Sequence, residues 1–188
     1  MSFEPQIHWA SATEKEEGEK TNWSNFWIMI NTNQAGHDEF ETSHLVTMLR
    51  EAVNTAFSDK KHLVEVLNIM DSGASQVSMA EKAYLLHRIE RVESEAVIEV
   101  GPKVHRIHAH VLLMVQHKTR VQLNVGNLRT KIKELSMEDG KPRFPNPIVR
   151  VKLIRENPLN AIRKYQRGYK NKLPEGLIRK IQRDRRRG

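Results

Sequence analysis

The sequence predicts an α+β protein in which helices pack on a central antiparallel sheet of four to five strands. Apolar, β-prone runs and amphipathic segments with helical spacing both occur along the 188 residues. They are grouped rather than strictly alternating, and one connection between strands is short enough for an antiparallel hairpin. We divide the chain into a flexible acidic arm (residues 1–22), one domain (23–175) and a basic tail (176–188).

The first elements after the arm are a buried strand and a long amphipathic helix. The apolar run Phe26–Ile30 ends at the polar triplet Asn31–Asn33, which is typical of a central strand that leads into a loop. From about Asp38 to Phe57, apolar residues recur at helical spacing. Acidic residues at the start of this segment suit the positive end of the helix dipole.

The middle of the chain predicts a short strand and then a short helix. Leu63–Met70 is a second apolar run, and turn-prone residues 71–75 follow it. Met79–Ile89 has the pattern of a short helix.

Two further strands are expected to form a hairpin. Val92–Val100 alternates between apolar and polar residues, and Arg106–Gln116 is the strongest strand in the sequence. The connection at residues 101–105 is short and begins with Gly-Pro, so the two strands should be antiparallel.

The last third of the chain predicts a helix, a strand and a second helix. Asn124–Leu135 has helical periodicity, and a proline-rich loop separates it from a strand at Ile148–Ile154. Pro158 stands where a helix over Leu159–Lys172 would begin.

The composition restricts the possible functions. Because the chain has no cysteine, it has no disulfide, thiol nucleophile or Cys-based metal site, and a metal would need His, carboxylate or amide ligands. No apolar run approaches the ~20 residues that cross a bilayer, and residues 1–20 contain five Glu in place of a signal pattern. We therefore expect a soluble intracellular protein with no membrane partner.

The net charge of +8 is concentrated near the C-terminus. Residues 150–188 contain fourteen Lys/Arg and three Asp/Glu, a balance of +11, which leaves −3 on the first 149 residues. A segment this basic suits nucleic-acid phosphates. A solvated tail, or a localisation signal at residues 183–187, would give the same charge pattern.

A candidate metal site lies on the predicted hairpin. Side chains two apart in a strand point to the same face, so His108 and His110 can direct both imidazoles to one point. Glu99, near the end of the preceding strand, could supply a carboxylate across the hairpin. Such a site suits a divalent ion that polarises a phosphate. The alternative is that both histidines are structural residues of the strand.

A candidate nucleophile lies in the last predicted helix. Tyr165, Tyr169 and Lys172 have the i, i+4, i+7 spacing of one helical face. A phenol with a pKa near 10 needs a cation or metal to attack at neutral pH, and lysines, including Lys164 and Lys170, surround the pair. Alternatively, both tyrosines extend the apolar stripe of this helix into the core.

The order of these features resembles the HUH endonuclease superfamily, which includes rolling-circle replication initiators (Rep proteins), plasmid relaxases and related transposases. The resemblance spans Phe26 to Lys172. It consists of an apolar strand ending in Asn31–Asn33, the His108-Ala-His110 motif, and a C-terminal Tyr169 with Lys172. It implies the HUH, or ferredoxin-like, topology that RNA-recognition domains share.

The resemblance also implies an activity and its partners. Glu99, His108 and His110 would hold Mg²⁺ or Mn²⁺, and a tyrosine would nick DNA by joining its 5′ end. Tyr169 with Lys172 is similar to the single-tyrosine viral pattern, whereas Tyr165 with Tyr169 is similar to the Helitron-type pair, so the nucleophile stays open. Three residues, Lys164, Arg167 and Lys170, would bind DNA.

The implied substrate is single-stranded DNA or a hairpin at a replication origin, in the nucleus or cytoplasm of the host if the protein is viral. Host replication proteins and a helicase domain are further implied partners, and an oligomer is compatible. The chain has no Gly-x-x-x-x-Gly-Lys-Ser/Thr motif for a helicase motor of its own, so we expect an isolated nuclease domain or a fragment of a longer protein.

Three other functions fit parts of this pattern. One is an RNA-binding module, although the strand Arg106–Gln116 lacks the stacking aromatics that such modules use. Another is an origin-binding domain that has lost its chemistry. The third is a Zn²⁺ hydrolase, since two histidines and a glutamate also suit zinc.

Overall fold

The computed structural model describes residues 21–69 and 78–154. The elements follow in chain order: β1 (Asn22–Ala35), α1 (Glu39–Ser58), α2 (Lys60–Val66), β2 (Leu67–Ile69), α3 (Met79–Arg88), β3 (Ile89–Val100), β4 (Arg106–His117), β5 (Val121–Leu123), α4 (Val125–Leu135), β6 (Met137–Glu138), β7 (Lys141–Pro142) and β8 (Ile148–Ile154). None of the described helices is long and apolar enough to cross a membrane.

Within the described residues, the main sheet has four strands in the order β3-β4-β1-β8, and every neighbouring pair is antiparallel. Helices connect β1 to β3 and β4 to β8, whereas β3 and β4 form a hairpin. This is the split β-α-β-β-α-β arrangement. The predicted α+β class with a central antiparallel sheet is therefore confirmed. Two small pairs, β2-β5 and β6-β7, lie outside this sheet.

The main core lies between α1, α2, α4 and one face of the sheet. Strand β4 shows why: Ile107, Ala109 and Val111 are buried in the same cluster as apolar residues of α1. Because side chains alternate in a strand, His108 and His110 point to the opposite face. We call that opposite face of the four-stranded sheet the histidine face.

Polar caps determine where the helices begin. The Asp38 carboxylate accepts a hydrogen bond from the backbone N–H of Glu41 at 2.7 Å, and α1 starts at the next residue after the cap. The Asn124 side chain caps α4 in the same way, accepting from Asn127 N–H at 2.9 Å. Each cap satisfies a backbone donor that the helix itself leaves without a partner.

One predicted element is wrong. The expected strand Leu63–Met70 is mostly helix, because α2 covers Lys60–Val66 and only the short strand β2 follows. The side chain of Asp59 accepts from the backbone N–H of Lys61 and so starts a new helix directly after α1. A short apolar run that is interrupted only by Glu65 has no clear period, so its pattern fits a helix and a strand equally well.

The other elements predicted within the described residues are present, with small differences at their ends. Strand β1 extends beyond its apolar run in both directions, from Asn22 to Ala35. The predicted helix Leu159–Lys172, the tail 176–188, the turn 71–75 and nearly all of the arm 1–22 lie outside the described residues.

Candidate functional site

The candidate metal ligands lie on two paired strands at one end of the histidine face. Glu99 of β3 is the direct cross-strand partner of His108 of β4, and Asn31 of β1 is the partner of His108 on its other side. Directly opposed residues in an antiparallel pair point to the same face. Glu99, His108 and Asn31 therefore form one row across three strands, and His110 stands in the next row.

One contact within this group is direct. The Nε2 atom of His110 lies 3.1 Å from Oε2 of Glu99, and the two side chains are only 12% and 11% exposed. The ring of Trp27 lies beside this pair, with its centroid 6.1 Å from that of His110. The Glu99–His110 contact therefore lies in a largely enclosed environment, where charge interactions are stronger than in water.

The surroundings of His108 favour its neutral form. Burial lowers the pKa of His108 below the usual 6.5, the neighbouring His110 lowers it further, and the charge of Glu99 acts in the opposite direction. Gly101 leaves space for this ring, since a Cβ at that position would come within 3.3 Å of His108 Cε1. A neutral imidazole can offer a nitrogen lone pair to a metal ion.

The donors fit a divalent cation, although they are not preassembled around one. Within residues 21–69 and 78–154, no three His, Cys, Asp or Glu side chains stand in a metal-holding arrangement. The Glu99 carboxylate and the His110 imidazole nevertheless already contact each other, and His108 interacts electrostatically with both. A carboxylate is a typical ligand of Mg²⁺ and Mn²⁺, and imidazole adds affinity for softer metals.

The polar end of β1 is fixed against β4. The buried Thr32 donates its hydroxyl hydrogen to the carbonyl oxygen of Ile107 at 2.8 Å, next to His108. Asn33 has a left-handed φ of +57°, which Asn tolerates better than most residues. Its backbone N–H donates to the side-chain oxygen of Asn31 at 2.9 Å. The predicted polar triplet is thus a structured strand end beside the candidate ligands.

Tyr165, Tyr169 and Lys172, the candidate catalytic residues, lie outside the described residues. The same is true of the predicted DNA-binding residues Lys164, Arg167 and Lys170.

Sequence reasoning included Arg150 and Lys152 in the basic segment 150–188 without placing them on the sheet, and it missed a basic cleft. Arg150 and Lys152 of β8 are exposed on the histidine face, where they are the cross-strand partners of Met29 and Trp27. The alternation of apolar and basic residues from Val149 to Lys152 could have indicated that both cations lie on one face of β8. The cleft lies beside α4 and is lined by Arg129 and Lys133. The cleft is formed by segments that are far apart in sequence. The i, i+4 spacing of Arg129 and Lys133 was therefore the sole indication of it in the sequence.

Comparisons with protein-family models, with curated proteins and with solved structures gave no match for this chain. The geometry of the site is therefore the basis for inferring its function.

Proposed function

We propose that the protein is a metal-dependent endonuclease and strand transferase of the HUH type, which nicks single-stranded DNA through a 5′-phosphotyrosine intermediate. The observation that carries the proposal is the position of Glu99, His108 and His110 on paired strands, at one end of one sheet face. The split β-α-β-β-α-β sheet also agrees with the topology expected for this class.

Each residue has a defined role in the proposed reaction. Glu99, His108 and His110 would hold Mg²⁺ or Mn²⁺, which supplies Lewis-acid polarisation of the scissile phosphate when bound. The hydroxyl oxygen of Tyr169 or Tyr165 attacks the phosphorus and forms a P–O bond, while the bond to the 3′-oxygen breaks. The phenol loses its proton and the 3′-oxygen gains one. The reverse reaction rejoins the strand without ATP.

The histidine face supports a single-stranded substrate. Trp27 offers an aromatic ring for stacking, and the neighbouring strand presents Arg150 and Lys152 at the edge of the same face. Neither cation forms an ion pair with a described residue, so both can bind phosphates. We propose a single strand or hairpin at a replication origin as the substrate, and replication proteins or a helicase domain as partners in an intracellular, rolling-circle-type process.

A covalent-adduct assay tests the proposal. The protein is incubated with labelled single-stranded and hairpin oligonucleotides in Mn²⁺ or EDTA, and adducts are separated on a denaturing gel. Tyr169→Phe, Tyr165→Phe and His108→Ala are compared with the wild type. Two matched controls are Tyr84→Phe, in a tyrosine that is 41% exposed on α3, and His87→Ala, in an exposed histidine of the same helix.

The proposal expects an adduct that requires metal, disappears with one or both of the catalytic Tyr→Phe changes, and persists in the two controls. It also expects His108→Ala to lose the adduct. If DNA binding occurs with no adduct on any substrate, and is equal in all variants, the catalytic proposal is wrong.

A second candidate function is a non-catalytic nucleic-acid-binding module. The observation that favours it is Trp27 on a sheet face with Arg150 and Lys152, two cations that form no ion pair with a described residue. This function predicts binding that is unchanged by EDTA and by His108→Ala, and that weakens with Trp27→Ala. An assay of DNA and RNA binding in EDTA therefore separates the two functions.

A further inference from the structure

A basic cleft lies next to the candidate metal site but shares no residue with it. It has a volume of about 460 Å³ and lies between α4, the end of β1 and the proline-rich segment before β8. That volume is in the range of clefts that hold small ligands. The polar residues that line it are Asn33, Arg129, Thr130, Lys133 and Asn146.

Within the described residues, no acidic side chain pairs with either cation of the cleft. Arg129 and Lys133 are exposed and form no ion pair there, whereas Lys131 on the same helix contacts both Glu65 and Glu134. Arg129 and Lys133 also stand at i and i+4 on α4, where like charges repel each other. No acidic side chain among the described residues lines the cleft. An anionic ligand would relieve the repulsion between the two cations.

The walls of the cleft are fixed in advance. The side-chain amide of Asn33 donates to the carbonyl oxygen of Asn146 at 3.2 Å, so the end of β1 is tied to the proline-rich segment. Phe144, just before the cleft, is fully buried. The Arg143 side chain is held at 3.1 Å from Glu41 and 3.4 Å from Glu138. A ligand would therefore lose little affinity to the ordering of this cleft.

The cleft is also close to the candidate ligands. Ile148, which lines the cleft, is the cross-strand partner of Asn31, and Asn31 is the partner of His108. Two strand spacings separate Ile148 from His108, which corresponds to about 10 Å. Arg129 and Lys133 lie beyond Ile148 on the helix side of the sheet, so a DNA strand would reach them from the histidines by passing around the sheet at Ile148.

We propose that this cleft is a subsite for single-stranded DNA, in which Arg129 and Lys133 bind a backbone phosphate further along the strand whose scissile nucleotide lies at the histidines. Arg129 offers a planar fork of donors to the phosphate oxygens, and Lys133 adds a compact charge. The side chain of Asn146 offers further polar contacts, and Ile148 an apolar surface for the sugar or base. The inference rests on the proposed function for the identity of the ligand.

The test measures the salt dependence of DNA binding. The affinity of the full chain for a labelled single-stranded oligonucleotide is determined by fluorescence anisotropy over a KCl series in EDTA. The variant is Arg129→Gln with Lys133→Gln. The matched control is Lys61→Gln with Arg120→Gln, which removes the same charge from two exposed residues that form no ion pair with described residues. Lys61 lies on α2, and Arg120 follows β4 at the other end of the sheet.

Loss of two phosphate contacts should reduce the slope of log K against log [salt] by about 1.4, since each contact to a single strand contributes about 0.7. The control should keep the wild-type slope. Equal slopes for the two double variants, or no binding of single-stranded DNA by the wild type, would overturn the proposal. Free deoxynucleoside monophosphate that binds the cleft as tightly as the strand does would also overturn it, because the cleft would then be a nucleotide site.

This result is independent of the endonuclease proposal. Binding in EDTA requires neither the metal nor a tyrosine, so a protein that forms no covalent adduct can still show the change in slope. Conversely, a protein that forms the adduct and shows equal slopes would retain the nuclease proposal and refute the subsite.

Discussion

Gly101→Ala should weaken metal binding without removing any ligand. The added Cβ would lie 3.3 Å from Cε1 of His108 and 3.5 Å from the carbonyl oxygen of Arg106. Since ordinary carbon contacts are about 3.5–4.0 Å, the His108 ring must move by a few tenths of an ångström. Metal sites tolerate ligand displacements of about 0.2 Å. We therefore expect Mn²⁺ affinity to fall by roughly threefold to tenfold, or about 0.7–1.4 kcal/mol.

Gly101→Ala should raise the free energy of unfolding or leave it unchanged, although it weakens metal binding. Gly101 has no positive φ, so Ala fits its backbone and reduces the entropy of the unfolded chain by an equivalent of about 0.4–1 kcal/mol. Mn²⁺ titration calorimetry and urea unfolding of the same protein measure the two effects. Gly126→Ala is the matched control, because its Cβ would also approach a side-chain atom, Asn124 Oδ1, at 3.3 Å, but at the start of α4.

The loss of Mn²⁺ affinity in His108→Ala is the reference with which the loss in Gly101→Ala is compared. If His108→Ala abolishes Mn²⁺ binding while Gly101→Ala binds Mn²⁺ like the wild type, the ring has more freedom than the structure indicates, and the steric reasoning is wrong. If neither change affects Mn²⁺ affinity, His108 is not a ligand.

Three other changes test the site and its support. In calorimetry, Glu99→Gln should weaken Mn²⁺ binding by about tenfold or more, equivalent to about 1.4 kcal/mol, whereas Glu95→Gln on the same strand should not weaken it. Equal Mn²⁺ affinities of the two variants would show that Glu99 is not a ligand. Thr32→Val should lower the free energy of unfolding in urea by about 1–3 kcal/mol, because the carbonyl oxygen of Ile107 loses its hydrogen-bond donor. If the exposed Thr47→Val lowers it by as much, this reasoning is wrong. Burial lowers the pKa of His117 below 6.5, so the unfolded chain takes up a proton first and the free energy of unfolding should fall as the pH drops below 6.5. His117→Gln should show a smaller fall, because only the contribution of the similarly buried His108 remains, and parallel pH profiles would refute this.

The sheet was predictable because its strands carry strong local signals. Arg106–Gln116 is apolar and β-prone over its whole length, and the short Gly-Pro connection left the antiparallel hairpin as the simple solution. The period of two then placed His108 and His110 on one face. The α2 helix was not predictable, because the buried residues from Leu63 to Leu67 are interrupted only by Glu65, and so short an apolar run fits a strand equally well.

The finer geometry of the candidate site depends on register and on distant segments. The sequence indicated that Glu99 lies across the hairpin from the histidines. In the structure Glu99 is paired with His108 along the strands, but its side chain contacts His110 in the next row. The basic cleft brings Asn33 together with Asn146, more than a hundred residues later in the chain. This long-range contact results from the packing of α4 and β8 beside β1, and a local sequence pattern does not predict such packing.

The direction of the strands explains why the site and the cleft share one end of the sheet. Strands β1 and β3 run one way and β4 and β8 the other, so the last residues of the first pair meet the first residues of the second. The pair Ser24 and His117, whose Oγ and Nε2 atoms lie 2.7 Å apart, occupies the opposite end of β1 and β4. Substitutions of that pair should therefore change stability and leave Mn²⁺ and DNA affinity unaltered, whereas those at the Asn31 end should change ligand binding.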